Sequence, residues 1–216
     1  MFALQPCEIK QLLSGINLRT AWGRRDYLLI LFLYHTGLRI GELCRLLVTH
    51  VSHDGAPRDE LYLPAVLTKT RKSRVVPLND VAQECVAKLL AFNRDRGFST
   101  APAAPLFPWK NHGNLPPREA QRMLQNLREA VGLSPKATPH TLRHTFASEL
   151  VRNGVTLPTV SSLLGHTRLS STQIYTHTTD RERHDAVRSL TRRTQQGLVP
   201  DSCPACGGAA ITGRNA

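Results

Sequence analysis

Acidic residues are scarce in this chain. Its 216 residues include 16 Asp plus Glu against 28 Lys plus Arg, for a net charge of +12. No carboxylates cluster beside the motifs described below, which argues against metal-dependent hydrolysis, because that chemistry needs grouped acidic ligands. Long apolar runs are also missing. The strongly apolar run Leu28 to Tyr34 covers seven residues, against the ~20 that a membrane-spanning helix needs. The N-terminus lacks the basic-then-apolar layout of a secretory signal. There are five cysteines, an odd number, with Cys7, Cys44 and Cys85 scattered, so no secreted disulfide framework is expected. Cys203 and Cys206 form one CxxC pair with no second pair to complete four zinc ligands, so no metal is expected there. No Walker-type glycine loop is present, and ATP is not implied. These absences leave the expectation of a soluble, cytoplasmic protein without a cofactor.

What is abundant is arginine: 22 Arg against 6 Lys. A guanidinium is a planar fork of donors that suits phosphate oxygens, so the charge points to a nucleic acid partner. Apolar content is ordinary at 41% and supports a folded domain.

The patterning is mainly helical. Apolar residues recur at helical spacing over Gln5–Ser14, Gly23–His35, Ile40–Val48, Asn79–Arg96, Arg118–Val131, His140–Asn153 and Thr156–Leu164. A further turn of helix is predicted from Ser170 or Ser171 to Tyr175, and a last helix over Arg181–Thr194. Leu61–Leu63 and Arg74–Val76 are short strand candidates, with the basic stretch Lys69–Lys72 as the turn between them. Gly97–Pro117 holds five prolines and is predicted to be a long loop. The expected fold class is mainly α with a small antiparallel sheet, in one unit over 1–195. Residues 196–216 are expected to be a flexible C-terminal tail carrying the CxxC pair.

Four separated segments carry chemistry. In Thr36-Gly37-Leu38-Arg39-Ile40-Gly41-Glu42, Arg39 opens a helix after a glycine break, where backbone N–H groups also favour an anion. Glu42 lies one turn on and can orient the guanidinium, although a surface ion pair has the same spacing. The second segment, Thr68-Lys69-Thr70-Arg71-Lys72-Ser73-Arg74, places a lysine at a hairpin tip, where it can protonate a leaving oxygen. A merely solvated basic turn would look the same. In the third, His140-Thr141-Leu142-Arg143-His144, His140 and Arg143 share a helical face as proton carrier and charge clamp. Leu142 and Phe146 should point into the core, and His144 should hold a structural place. The fourth, Leu163-Leu164-Gly165-His166-Thr167 with Tyr175 nine residues after His166, frees a histidine from a helix end. It then offers a tyrosine in polar surroundings, though the segment also has the look of a DNA-reading helix-turn-helix. Together they supply what metal-free, covalent phosphodiester cleavage requires: a nucleophile, a clamp for the non-bridging oxygens and an acid for the leaving group.

These motifs resemble the tyrosine recombinase, or phage integrase, family from about Glu8 to His177. The matching residues are Arg39 in TGLRIGEL, Lys69 in TKTRKSRVVPL, His140 and Arg143 in HTLRHT, and His166 and Tyr175 in LLGHTRLSSTQIYTH. The resemblance implies the integrase catalytic core fold and strand exchange through a 3′-phosphotyrosine on Tyr175, without metal or ATP. It makes Arg39 and Arg143 the phosphate clamp and Lys69 the general acid, with Lys72 as its alternative. His140 would assist proton transfer and His166 would be a transition-state donor. Glu42 would support Arg39, and Arg71, Lys72 and Arg74 would face DNA. The implied partners are double-stranded DNA with inverted-repeat half-sites, a homotetramer on it and an accessory DNA-bending protein. The last helix would dock on a neighbouring protomer. A mobile-element setting and a catalytic domain without the N-terminal core-binding domain are likewise implied. The alternatives are a non-catalytic DNA-binding regulator, a truncated integrase remnant and a type IB topoisomerase.

Overall fold

The computed structural model describes residues 3–110, 113–134, 136–165 and 180–194, the last four by backbone alone. Helix α1 (Pro6–Ser14) leads into α2 (Ala21–Thr36), which begins where the Thr20 hydroxyl accepts from the Gly23 N–H. Residues 27 to 36 of α2 are buried on every side, as expected of a helix apolar all round. It is the central element, packed against α4 (Asp80–Asp95), α6 (Pro139–Arg152) and α8 (Asp180–Thr194). Asn79 caps α4 and Thr156 caps α7 (Leu157–Leu164), each side chain accepting a backbone N–H of the first turn. Helix α5 (Pro117–Ala130) follows a long proline-rich connection.

Two antiparallel hairpins lie between α3 (Ile40–Leu43) and α4. Strands β1 (Ser52–His53) and β2 (Ala56–Pro57) close around Asp54-Gly55. Strands β3 (Glu60–Leu63) and β4 (Arg74–Pro77) pair Leu61 with Val76 and Leu63 with Arg74. The described residues are therefore mainly helical with small antiparallel sheets, as expected. No described helix is long and apolar enough to cross a membrane.

The third helix departs from its predicted span Ile40–Val48 by ending at Leu43. The chain past it pairs with the proline-rich connection instead. The Leu46 carbonyl accepts from Leu106, Val48 donates to the Ala104 carbonyl, and Leu47 sits opposite Pro105. Tertiary pairing overrides helical spacing here. The connection is well anchored, with Leu106, Phe107 and Leu115 buried.

The core divides in two. The larger cluster draws on α1 to α5, the strands and Leu142; the smaller is Phe146, Leu150, Val160, Leu163, Leu164, Ala186, Val187 and Leu190. Leu142 and Phe146 both point inward, as expected. The apolar face of helix α8, Ala186, Val187 and Leu190, is buried against α6 and α7. Cys44 and Cys85 are buried as small hydrophobes, and burial pushes the Cys44 thiol up to about 12.

Candidate active site

Each motif segment reaches the site from a break in regular structure. Helix α2 ends at Gly37, which is left-handed at φ +61°, and a Cβ there would come within 2.4 Å of the Phe146 ring. Glycine is required twice over, by conformation and by space. Leu38 is fully buried and anchors the next residue, so Arg39 emerges at the start of α3 with its side chain 30% exposed. Helix α7 ends the same way at Gly165, φ +65°, where a Cβ would press within 3.0 Å of the Arg74 side chain.

Glu42 is the hub. Its side chain is 2% exposed and accepts four hydrogen bonds. Arg39 Nη1 donates to Oε1 at 3.1 Å and the Arg39 backbone N–H to Oε2 at 3.0 Å. Arg74 Nη1 donates to Oε1 at 3.0 Å and Nη2 to Oε2 at 2.6 Å. Burial by itself would raise the carboxyl. The bonds and charge of Arg74, then those of Arg39, outweigh it and hold Glu42 below its ordinary value. The Arg39 amide, expected to favour an anion, is thus occupied by Glu42.

Arg143 joins the other two segments. Its Nη1 donates to the Gly37 carbonyl and its Nη2 to the Leu164 carbonyl, both at 2.6 Å. These use two of the five N–H donors of a guanidinium, so the group keeps donors for a phosphate. Burial, and then the charge of Arg39, pushes Arg143 down to about 9, with Glu42 opposing and Arg74 adding to the effect. Three guanidiniums therefore stand around one carboxylate. The unbalanced positive charge sits in a low-dielectric setting, where a phosphodiester would relieve it.

Lys69 is exposed on the turn between β3 and β4, as are Arg71 and Lys72. Arg74 is not. It was expected to face DNA with them, yet its side chain is only 9% exposed and lies against Glu42. The physical reason is strand alternation: Arg74 shares a face with Val76, which is fully buried. That alternation was available in the sequence. His140 is exposed, and its Nε2 lies 2.9 Å from Nε2 of His144, with the rings edge to face. His144 was expected to be structural. The structure puts it half-buried beside His140, on the face that i, i+4 spacing prescribes. Partial burial, then His140 and Arg143, lower its pKa. His166 and Tyr175 lie outside the described residues.

Of the expected set, Arg39, Glu42 and Arg143 are gathered at one place, with Arg74 among them. Lys69 and His140 stand exposed on the turn and on α6. Arg74 was foreseen only as a DNA contact, and the carbonyls of Gly37 and Leu164 were not foreseen as parts of the site.

Comparison with known proteins fits this geometry. The model of the phage integrase family matches residues 3–182. The chain is 37% identical over 178 residues to the tyrosine recombinase XerC of Anoxybacillus flavithermus, covering 82% of this chain and 57% of that protein. It is 38% identical over 172 residues to the tyrosine recombinase XerD of Bradyrhizobium diazoefficiens, covering 77% and 52%. The chain thus spans little more than half the length of these curated relatives. Among solved structures, the XerA recombinase superposes with a TM-score of 0.64 at 26% identity, covering 91% of this chain and 65% of that one. A XerH recombinase bound to its difH substrate is alike in fold, with a TM-score of 0.63 at 23% identity over 85% of this chain and 53% of that one.

Proposed function

The chain belongs to the phage integrase family, and from that membership we propose that it is a site-specific DNA recombinase. The observation that carries the reading is the gathering of Arg39 and Arg143, from segments about 100 residues apart, around a single buried carboxylate. Proposed residues 1–195 form the catalytic domain, and the substrate is double-stranded DNA with inverted-repeat half-sites, held by a homotetramer. An accessory DNA-bending protein and a mobile-element origin belong to the same proposal.

In the proposed reaction the Tyr175 oxygen attacks the scissile phosphorus. The bond to the 5′-oxygen breaks, and a 3′-phosphotyrosine forms. Arg39 and Arg143 hold the non-bridging oxygens, whose charge grows in the transition state. Lys69 gives the departing 5′-oxygen its proton, with Lys72 the alternative donor. His140 assists proton transfer and His166 donates to the phosphate. Rejoining reverses these steps with a 5′-hydroxyl from the partner strand. The phosphotyrosyl ester preserves the bond energy, so the proposal needs no ATP. Arg71 and Lys72, exposed on the turn, would follow the DNA backbone.

The test uses nicked duplexes with a randomised central sequence, from which detergent-resistant protein–DNA adducts are captured and sequenced. The expected result is an adduct on a recurring inverted repeat. Tyr175→Phe should lose it while retaining DNA binding. Binding with no adduct from any duplex would favour a non-catalytic regulator, and an adduct that survives Tyr175→Phe would remove Tyr175 as nucleophile.

A further inference from the structure

The turn that carries Lys69 is tied at both ends to the helix that follows Arg39. At the upstream end Arg45, two residues past α3, donates its Nε to the Gly41 carbonyl at 2.9 Å. Its two terminal nitrogens reach the carbonyls of Val66, at 3.4 Å, and Leu67, at 2.7 Å. At the downstream end Arg74, the first residue of β4, grips both oxygens of Glu42. Between these ties the turn is closed on itself. The Arg71 N–H donates to the Thr68 carbonyl at 3.3 Å, and the Lys72 N–H donates to the Thr68 hydroxyl at 3.1 Å. That hydroxyl in turn lies 2.9 Å from the Lys72 carbonyl. Arg71 is held at φ +52°, a left-handed conformation uncommon for a residue with a side chain. The turn therefore moves as one piece, and its place relative to Arg39 is set by two arginines that anchor at positions 41 and 42.

A surface loop kept only for its charge would need no such bracing. Bidentate arginine pairs fix geometry as well as adding energy, and both ties here end within three residues of Arg39. We propose that Arg74 and Arg45 are positioning residues for leaving-group protonation: together they hold the Lys69 turn against the Arg39 helix, so that the amine and the guanidinium address one phosphate. This rests on the recombinase reading above. In the step concerned, the Tyr175 O–P bond forms and the P–O5′ bond breaks. The electron pair passes to the 5′-oxygen, which takes a proton from the Lys69 ammonium. Nothing is oxidised or reduced.

The test compares full-length wild type, Lys69→Ala, Arg45→Gln and Arg74→Gln on duplexes captured by the wild-type protein. Each duplex is made with the natural 5′-oxygen and with sulfur at that bridging position. A thiolate leaves without being protonated, so the sulfur substrate bypasses the acid. On the oxygen substrate Arg74→Gln should slow cleavage by about 100-fold, at the low end of what general acid catalysis contributes. Arg45→Gln, an exposed residue whose loss threatens the fold less, should slow it by about 10-fold. On the sulfur substrate Arg45→Gln, like Lys69→Ala, should return to near the wild-type rate, and Arg74→Gln should keep only the smaller loss that comes from loosening Glu42 and Arg39. Hydrogen exchange of amides 68–73 should quicken in both variants while α2 and α4 keep theirs. Equal slowing on both substrates, or no slowing on either, overturns the proposal. If wild type cleaves neither form, the recombinase reading has failed, and unchanged exchange over 68–73 in Arg74→Gln then overturns the bracing as well.

Discussion

The larger hydrophobic cluster and the smaller one meet along α6, where Leu142 belongs to the first and Phe146 to the second. On the larger side charge is buried and matched with charge. Glu42 holds Arg39 and Arg74, and Arg25, itself 3% exposed, pairs with Asp26 at 2.5 Å and lies 4.8 Å from the Trp22 ring. On the smaller side two ties to α8 are neutral, one buried and one half-buried. Asn79 donates to the Val187 carbonyl at 3.2 Å, and Asn153 reaches the Ser189 hydroxyl at 3.1 Å. The surface contact of His184 with Glu60, at 3.4 Å, adds little. The contrast teaches how the site is built. The half proposed to hold an anion has two of its cations fixed by hydrogen bonds to one buried carboxylate. The half made of α6, α7 and α8 packs through eight buried apolar residues, and at α8 through these neutral bonds. Arg143 crosses between the two through its bonds to Gly37 and Leu164.

The largest break in this contrast should come from Glu42→Ala. It leaves Arg74 and Arg39 without their common acceptor and three guanidiniums close together with no carboxylate among them. Removing one partner of a buried ion pair costs about 3–5 kcal/mol. The expected outcome is a loss of that size in urea unfolding, with Arg74→Leu in the same background recovering part of it by removing the stranded charge. A loss below about 1 kcal/mol would show that the pair is hydrated and that the network presets nothing.

The next effect lies at the seam. His35 is fully buried, and burial pushes it down to about 3. The Asn79 side-chain amide faces His35 Nδ1 at 2.9 Å while its oxygen accepts from Ala82. An amide N–H can only donate, so Nδ1 must accept and the ring is neutral. In the unfolded chain the ring takes a proton near 6.5. Above about pH 6.5 both states are neutral there and His35 has no effect on stability. Between 6.5 and 3 the unfolded state binds more protons, so stability falls as pH falls. At 1.36 kcal/mol per unit, about 2 kcal/mol is gone by pH 5. His35→Gln keeps an acceptor for Asn79 and cannot titrate. Its loss of stability between pH 7 and pH 5 should be smaller than wild type's by about 2 kcal/mol. Equal losses in the two proteins would mean that His35 gains its proton without unfolding.

The sequence made much of this visible and concealed the rest for definite reasons. The breaks at Gly37 and Gly165, the caps Asn79 and Thr156, and the inward Leu142 and Phe146 follow from local rules that tertiary contacts did not disturb. Arg39 with Glu42 was likewise readable, because one helical turn separates them. The end of α3 was hidden, since Leu46 to Val48 keep helical spacing but pair with residues 104–106 far along the chain. Arg74 was misread by charge: four basic residues in six suggested one exposed patch, while strand alternation had already turned the last of them inward. The i, i+4 spacing of His140 and His144 already put both on one face of α6. The apolar stripe of α8 was legible, but its burial against α6 and α7 is a tertiary contact that no local pattern encodes.

The smallest expected effect tests whether the smaller side is attached as loosely as its bonds suggest. Asn153 follows the last turn of α6, and its side-chain amide reaches both the hydroxyl and the carbonyl of Ser189, at 3.1 and 3.4 Å. Only the first has good hydrogen-bond geometry, and Asn153 is half-buried, so Asn153→Ala should cost about 1 kcal/mol, the net worth of one ordinary bond. The loss should also be local. If α8 is a separable attachment, its amides will exchange faster in the variant while those of α2 and α4 keep wild-type rates, because local opening then needs less energy than global unfolding. If instead every protected amide quickens by the same factor, α8 opens only with the whole molecule. The two clusters are then one cooperative unit, and the neutral ties hold as firmly as the charged ones.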